Sequence, residues 1–96
     1  MRAISRRALV EFSRRHADSS GALDAWYRIA KAARWSSLVE VQRTFSSAEP
    51  AGDLTVFNIK GNTYRLIARI HYGLQILDVR TILTHAQYDK GDWKKL

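Results

Sequence analysis

His85 and Tyr88 stand three residues apart in the run Thr84-His85-Ala86-Gln87-Tyr88-Asp89, near the end of a 96-residue chain. An imidazole is the side chain whose ordinary titration falls closest to neutrality, so a histidine here can take or give a proton. A phenol can donate, accept or stack on a base. Upstream, Lys60, Arg65, Arg69 and Arg80 recur through a stretch rich in β-branched and aromatic residues, with Asn58 and Asn62 among them. Several cations, one imidazole and one phenol suit a reaction at a phosphodiester. If the substrate is RNA, its own 2′-hydroxyl is the nucleophile. The protein then has only to orient the phosphate, stabilise its extra negative charge and move protons. A lone histidine at a strand end is more often structural, so its company decides the reading.

Other chemistries lack their residues. The chain has no cysteine, which removes a disulfide framework, a thiol nucleophile and any cysteine zinc site. Histidines at 16, 71 and 85 do not show metal-ligand spacing, and no HExxH is present. There is no GxGxxG, no GxxxxGKS or GxxxxGKT, and no nucleophile elbow around a serine. Neither a metal nor a cofactor is expected. Sixteen Lys and Arg against nine Asp and Glu leave +7, which favours a polyanionic partner: nucleic acid, an acidic protein or a membrane surface. No apolar run approaches the roughly 18 residues of a membrane span. A short chain without cysteines points to a reducing cytoplasm. The N-terminal arginines are followed by no apolar targeting core and read as structural.

Positioning these groups takes a scaffold in two halves. Residues 2–5 read as a short edge strand, with Ser5 as the N-cap of a helix in which Leu9, Phe12 and His16 share a face. Asp18-Ser19-Ser20-Gly21 breaks that helix and can cap a second, whose buried stripe is Leu23, Trp26, Tyr27, Ala30 and Ala33. Ser37 and Glu40 have capping-box spacing ahead of a third helix carrying Leu38, Val41 and Phe45. Residues 46–53 read as a surface loop. Beyond them the period becomes alternating, and residues 54–60, 63–72 and 75–84 are predicted strands. Gly61-Asn62 is a two-residue hairpin signal, and Gly73 supplies the next turn. The expectation is one α+β domain over residues 1–96, with N-terminal helices on one face of a small antiparallel sheet.

A two-residue turn pairs Lys60 with Thr63, Ile59 with Tyr64, and Asn58 with Arg65. One face then carries Phe57, Ile59, Tyr64, Leu66, Ala68 and Ile70, joined by Leu77, Val79 and Leu83 if the Gly73 turn also has two residues; the helices should pack there. The other face carries Asn58, Lys60, an exposed Arg65, Arg69, Asp78 and Arg80. A solvated antiparallel face is ordinarily polar too. Like charges on adjacent strands, however, destabilise a sheet unless something else selects them. With Asp78 able to neutralise Arg69, Lys60, Arg65 and Arg80 stay unmatched and form a phosphate-sized positive site. His85 and Tyr88 fall at the rim of the sheet. His16 is expected to be a partly buried filler and His71 an exposed neighbour of a turn.

The run Val56-Phe57-Asn58-Ile59-Lys60-Gly61-Asn62-Thr63-Tyr64-Arg65-Leu66-Ile67, followed by Thr84-His85-Ala86-Gln87-Tyr88-Asp89-Lys90, resembles the HigB family of bacterial toxins. Leu23, Ala25-Trp26-Tyr27 and Ala33-Arg34-Trp35 match that family's helical segment, so the resemblance runs from Ile4 to about Trp93. It implies a RelE-like fold whose free sheet face cuts RNA. It also implies the toxin half of a type II toxin–antitoxin module: an mRNA interferase, generally acting on mRNA in the ribosomal A site. The implied partner is a HigA-like helix-turn-helix antitoxin, through which the complex touches operator DNA. By position, Lys60 and Arg65 match the family's basic hairpin residues, and His85 and Tyr88 its C-terminal pair. The resemblance makes Arg65 the phosphate clamp, Lys60 its electrostatic support and His85 the proton-transfer group. Tyr88 becomes a base stacker or second relay, and Asn62 positions substrate. Asn58, Arg69, Arg80 and Lys90 would contact RNA. Two rivals stand beside this reading: a module that grips RNA or ribosome without cutting, and a degenerate toxin kept for antitoxin contacts.

Overall fold

The computed structural model describes residues 1–4 and 6–95. The Ser5 cap therefore lies outside the described residues. The chain begins with β1 (Arg2–Ile4) and α1 (Arg6–Arg15), then a 3-10 turn at Ala17–Ser19, α2 (Ser20–Ala32) and α3 (Leu38–Thr44). There follow β2 (Glu49–Ala51), β3 (Leu54–Ile59), β4 (Tyr64–His71), β5 (Ile76–Thr84), α4 (His85–Lys90) and a second 3-10 turn at Asp92–Lys95. The strands form one sheet in the order β1-β5-β4-β3-β2, with helices packed against it, an α+β fold. No helix among the described residues is long and apolar enough to cross a membrane.

The helical stripes are set by spacing. Leu9 and Phe12 of α1 and Leu23, Trp26 and Ala30 of α2 are buried, and His16 stacks on Phe12 at 4.4 Å between ring centroids. The caps depart from expectation in detail. Ser19 Oγ donates back to the His16 carbonyl at 2.7 Å instead of capping α2. At α3 only half of the capping box forms, one residue early: Glu40 accepts the Ser36 N–H at 2.8 Å, while the Ser37 side chain makes no cap bond.

The hairpin register is as the turn arithmetic requires, with Asn58 opposite Arg65 and Ile59 opposite Tyr64. Two features differ from an all-antiparallel meander. β1 pairs in parallel with β5, so the sheet is mixed, and residues 49–51 of the expected loop pair with β3 as an extra edge strand. Between β4 and β5 the register runs Ile67↔Thr81 and then Ala68↔Val79, leaving Arg80 as the extra residue of a bulge. A one-residue slip moves the side chains beyond it to opposite faces. Leu77, Val79 and Ile82 therefore join Phe57, Ile59, Leu66 and Ala68 under the helices, whereas Leu83 faces the other way.

That other face is not free along its whole length. Leu54, Val56 and Ile67 form a second, smaller buried cluster beneath Trp93, with Leu83 and Tyr88 packed against it. The segment after β5 folds back over these residues. Arg65 comes next after Ile67 on that same side of β4.

Candidate active site

The expected rim segment is a short helix with a full set of end signals. Thr84 is its N-cap: Thr84 Oγ1 accepts the Gln87 N–H at 3.2 Å, and the Thr84 N–H donates to Gln87 Oε1 at 3.0 Å. Gly91, at φ 77°, closes the other end in the left-handed conformation that glycine adopts without a Cβ penalty. The His85 N–H donates to the Thr63 carbonyl at 3.1 Å and ties this helix to the β3–β4 hairpin. Helical spacing of three and four residues gathers His85, Tyr88 and Asp89.

Arg65 is the centre of the group. It is buried, at 7% exposure, which corrects the expectation of an exposed strand arginine. Its Nη1 donates to the carbonyls of Asn62 at 3.0 Å and Tyr64 at 3.2 Å, and its Nη2 to Asn62 Oδ1. Nη2 also lies 3.5 Å from His85 Nδ1. A guanidinium offers only hydrogens, so Nδ1 must present its lone pair there. The neutral ring then carries its proton on Nε2, which reaches Asp89 Oδ2 at 3.2 Å. Carboxylate, imidazole and guanidinium are thus in series, with the basic imidazole nitrogen aimed at the cation.

Tyr88 completes the group. The Arg65 guanidinium sits over its ring at 5.2 Å, and the ring stacks on Trp93 at 5.0 Å with 12° between planes. With those neighbours Tyr88 is a wall of the site more than an open platform for a base. Its hydroxyl is 3.5 Å from Glu49 Oε1. Burial pushes the Tyr88 phenol up and the Glu49 carboxylate adds to this, partly offset by Arg65. At neutral pH it therefore keeps its proton and, in proton transfer, can act as an acid but not as a base.

The other expected site residues are dispersed. Asn58 is half-buried on β3, opposite Arg65. Lys60 takes a left-handed φ of 53°, which breaks strand alternation, and its Nζ pairs with Asp18 Oδ2 at 2.9 Å on the helical side. Arg69 pairs with Asp53 Oδ2 at 2.7 Å, although Asp78 is its register partner, as expected. Arg80 is displaced by the bulge to a recess beside Glu11 and Arg15 of α1, with Asp78 3.9 Å away. Lys90 is exposed, beyond Trp93. The expected triad of Lys60, Arg65 and Arg80 therefore does not assemble, and the phosphate-sized site rests on Arg65.

Sequence reasoning passed over Asp89, Trp93 and Glu49. Thr84-x-x-Gln87 followed by Gly91 is a readable capping signal that would have placed Asp89 one turn from His85. Nothing in the sequence marks Trp93 or Glu49, which arrive from distant elements. Among the described residues no cluster of His, Cys, Asp and Glu could hold a metal ion.

Residues 19–91 match the family model of HigB toxins, described as the RelE-like toxic component of a toxin–antitoxin system. The chain belongs to this family. It is also 29% identical over 93 residues to the mRNA interferase HigB of Escherichia coli O6:H1 strain CFT073, covering 94% of this chain and 90% of that protein. The HigB match spans the hairpin, Arg65, His85 and Tyr88, and extends through Gly91. It stops short of Trp93.

Proposed function

We propose that this HigB-family chain is an endoribonuclease that cuts mRNA by attack of the RNA's own 2′-hydroxyl, arresting translation until a cognate antitoxin neutralises it. The observation that carries this reading is the convergence of a buried Arg65 with His85 and Tyr88 at one exposed edge. The similarity to the Escherichia coli mRNA interferase HigB supports it. His85 Nδ1 takes the 2′-hydroxyl proton as the 2′-oxygen bonds to phosphorus, and Asp89 steadies the resulting imidazolium. Arg65 turns from Asn62 Oδ1 to the non-bridging oxygens as they gain charge. A donor aimed at developing charge is worth roughly 10²–10³ in rate. The bond from phosphorus to the 5′-oxygen breaks, leaving a 2′,3′-cyclic phosphate. The departing 5′-oxygen takes a proton from Tyr88 or from water to give a 5′-hydroxyl.

In this reading neither the nucleophile nor the proton carriers need a metal, so cutting survives chelation in a ribosome-free assay. The +7 charge fits a polyanionic platform, and the ribosome carrying its message in the cytoplasm is the proposed one. The antitoxin is proposed to be HigA-like, with operator DNA reached only through the complex. The test is induction of wild type, Arg65→Lys and His85→Gln, with growth and transcript 5′ ends followed together. Wild type should arrest growth and leave new 5′-hydroxyl ends; His85→Gln should lower cutting roughly 10²–10⁴-fold. Growth arrest with intact transcripts would replace this reading by a non-catalytic RNA or ribosome binder.

A further inference from the structure

Beside the Arg65 group a groove of about 540 Å³ opens between the β2–β3 hairpin and the segment after α4. That volume is in the range of small-ligand clefts, about 300–1,000 Å³. Leu54 and Trp93 give it apolar walls, and Lys94 lies at its side with its ammonium over the Trp93 ring at 5.8 Å. Tyr88 lines the groove and also touches Arg65, so the groove is continuous with the place proposed for the scissile phosphate. Two carboxylates line it. Asp53 is committed to Arg69 at 2.7 Å. Glu49 reaches only the outer limit of a hydrogen bond, 3.5 Å from the Tyr88 hydroxyl, and β2 holds it in register opposite Val56.

A carboxylate can only accept hydrogen bonds. A nucleobase entering the groove is therefore favoured if it presents an amino group, as adenine, cytosine and guanine do. Uracil's one ring donor, N3–H, lies between two carbonyl oxygens whose lone pairs would face Glu49, whereas an amino group meets the carboxylate without that repulsion. We infer that the groove is a subsite for the base next to the cut, with Glu49 selecting amino-bearing bases over uracil. This inference rests on the endoribonuclease reading, which places RNA at Arg65. A carboxylate-to-amine contact of this kind discriminates by a factor of roughly ten or more.

The test has two arms. In the first, backbone and indole N–H signals of the wild-type protein are followed by NMR during titration with AMP, CMP, GMP and UMP. Saturable shifts should appear at residues 49 and 51–54 and at the Trp93 indole, with UMP binding about tenfold more weakly than the others. Glu49→Gln, which keeps the shape and can both donate and accept, should bring the four nucleotides close to parity. In the second arm, transcript cleavage maps for wild type and Glu49→Gln are compared, and the share of cuts beside uracil should rise in the variant. Equal shifts for all four nucleotides, or none at the groove, would overturn the subsite. If none appear and Glu49→Gln instead weakens neutralisation by the antitoxin, the groove is a protein-docking surface. Selective nucleotide binding by a wild-type protein that leaves RNA uncut would overturn the endoribonuclease reading and keep the subsite.

Discussion

On the helical side of the sheet, Phe57, Ile59, Tyr64, Leu66 and Ala68 meet Leu23, Trp26, Ala30 and Val41 in one continuous apolar layer. On the opposite side, Leu54, Val56 and Ile67 form a smaller cluster with Trp93, edged by Ala51, Leu83 and Tyr88, and one step along β4 the buried residue is Arg65. The first face is all core. The second is half core and half candidate site, with Tyr88 on the boundary, touching Trp93 and Arg65. The division teaches where a small domain can keep a buried cation. Arg65 lies where aromatic cover lowers the local dielectric enough to strengthen its field, yet beside an exposed His85 that a substrate can reach.

If the two faces differ in this way, truncations should separate them. Trp26→Ala, in the continuous layer, should cost about 3–5 kcal/mol, a large part of a total near 5–15 kcal/mol. Trp93→Ala opens a small cluster that water can fill and should cost about 1.5–3 kcal/mol. It should retain helical circular dichroism while losing RNA cleavage. Urea unfolding of both variants checks this, and equal costs would mean that the two faces form a single cooperative core.

Arg65 belongs to both halves of the second face, buried under Tyr88 and in contact with His85. Arg65→Ala strands the Asn62 and Tyr64 carbonyls and uncovers Tyr88, for a loss of about 1–3 kcal/mol. Arg65→Lys should recover much of that stability but not the cutting, since an ammonium cannot span phosphate and hairpin with a planar fork. A fully active Arg65→Lys would demote the guanidinium to packing. Thr84→Ala removes the N-cap of α4 and should cost about 1 kcal/mol. It should also loosen His85 and Tyr88 together, read as a fall in cleavage larger than the small drop in melting temperature implies.

The smallest effect lies on the helical side. The Tyr64 hydroxyl donates to Asp18 Oδ1 at 2.6 Å and Lys60 pairs with the same carboxylate, so the Asp18 carboxyl is held below its usual value and the Tyr64 phenol above its own. Asp18 therefore contributes stability that is present above the ordinary carboxylate value, near 3.9, and fades as pH falls through its lowered folded value. Tyr64 contributes stability present below about pH 10 and lost as pH rises through its raised folded value. Asp18→Asn should flatten the melting temperature against pH at both extremes. An unchanged profile would remove this clamp from the pH dependence.

The alternating strands and helical stripes were readable because each depends on neighbours within a few residues. That is why the faces of β3 and β4 and the pairing of Asn58 with Arg65 follow from a two-residue turn at Gly61-Asn62. The bulge at Arg80 is a tertiary accommodation between β4 and β5 with no local signature, and it carried Arg80 and Leu83 to unexpected places. Lys60 left the site because a positive φ at the turn turned its side chain toward Asp18, a partner 42 residues away. Burial of Arg65 could not be read from β4, because cover comes from Tyr88 on α4, itself braced by Trp93. Arg65, Asn62, His85 and Tyr88 do lie together, each placed by the hairpin or by helical spacing.

In the proposed reaction the RNA supplies its own nucleophile at Arg65 and His85. Its most direct test is end-group analysis of one message cut by the protein, with the 2′-hydroxyl at the cut position present or replaced by hydrogen. The RNA should yield a 2′,3′-cyclic phosphate and a 5′-hydroxyl, and the 2′-deoxy substrate should stay intact. Undiminished cutting of the 2′-deoxy message, or a 5′-phosphate product, would contradict it.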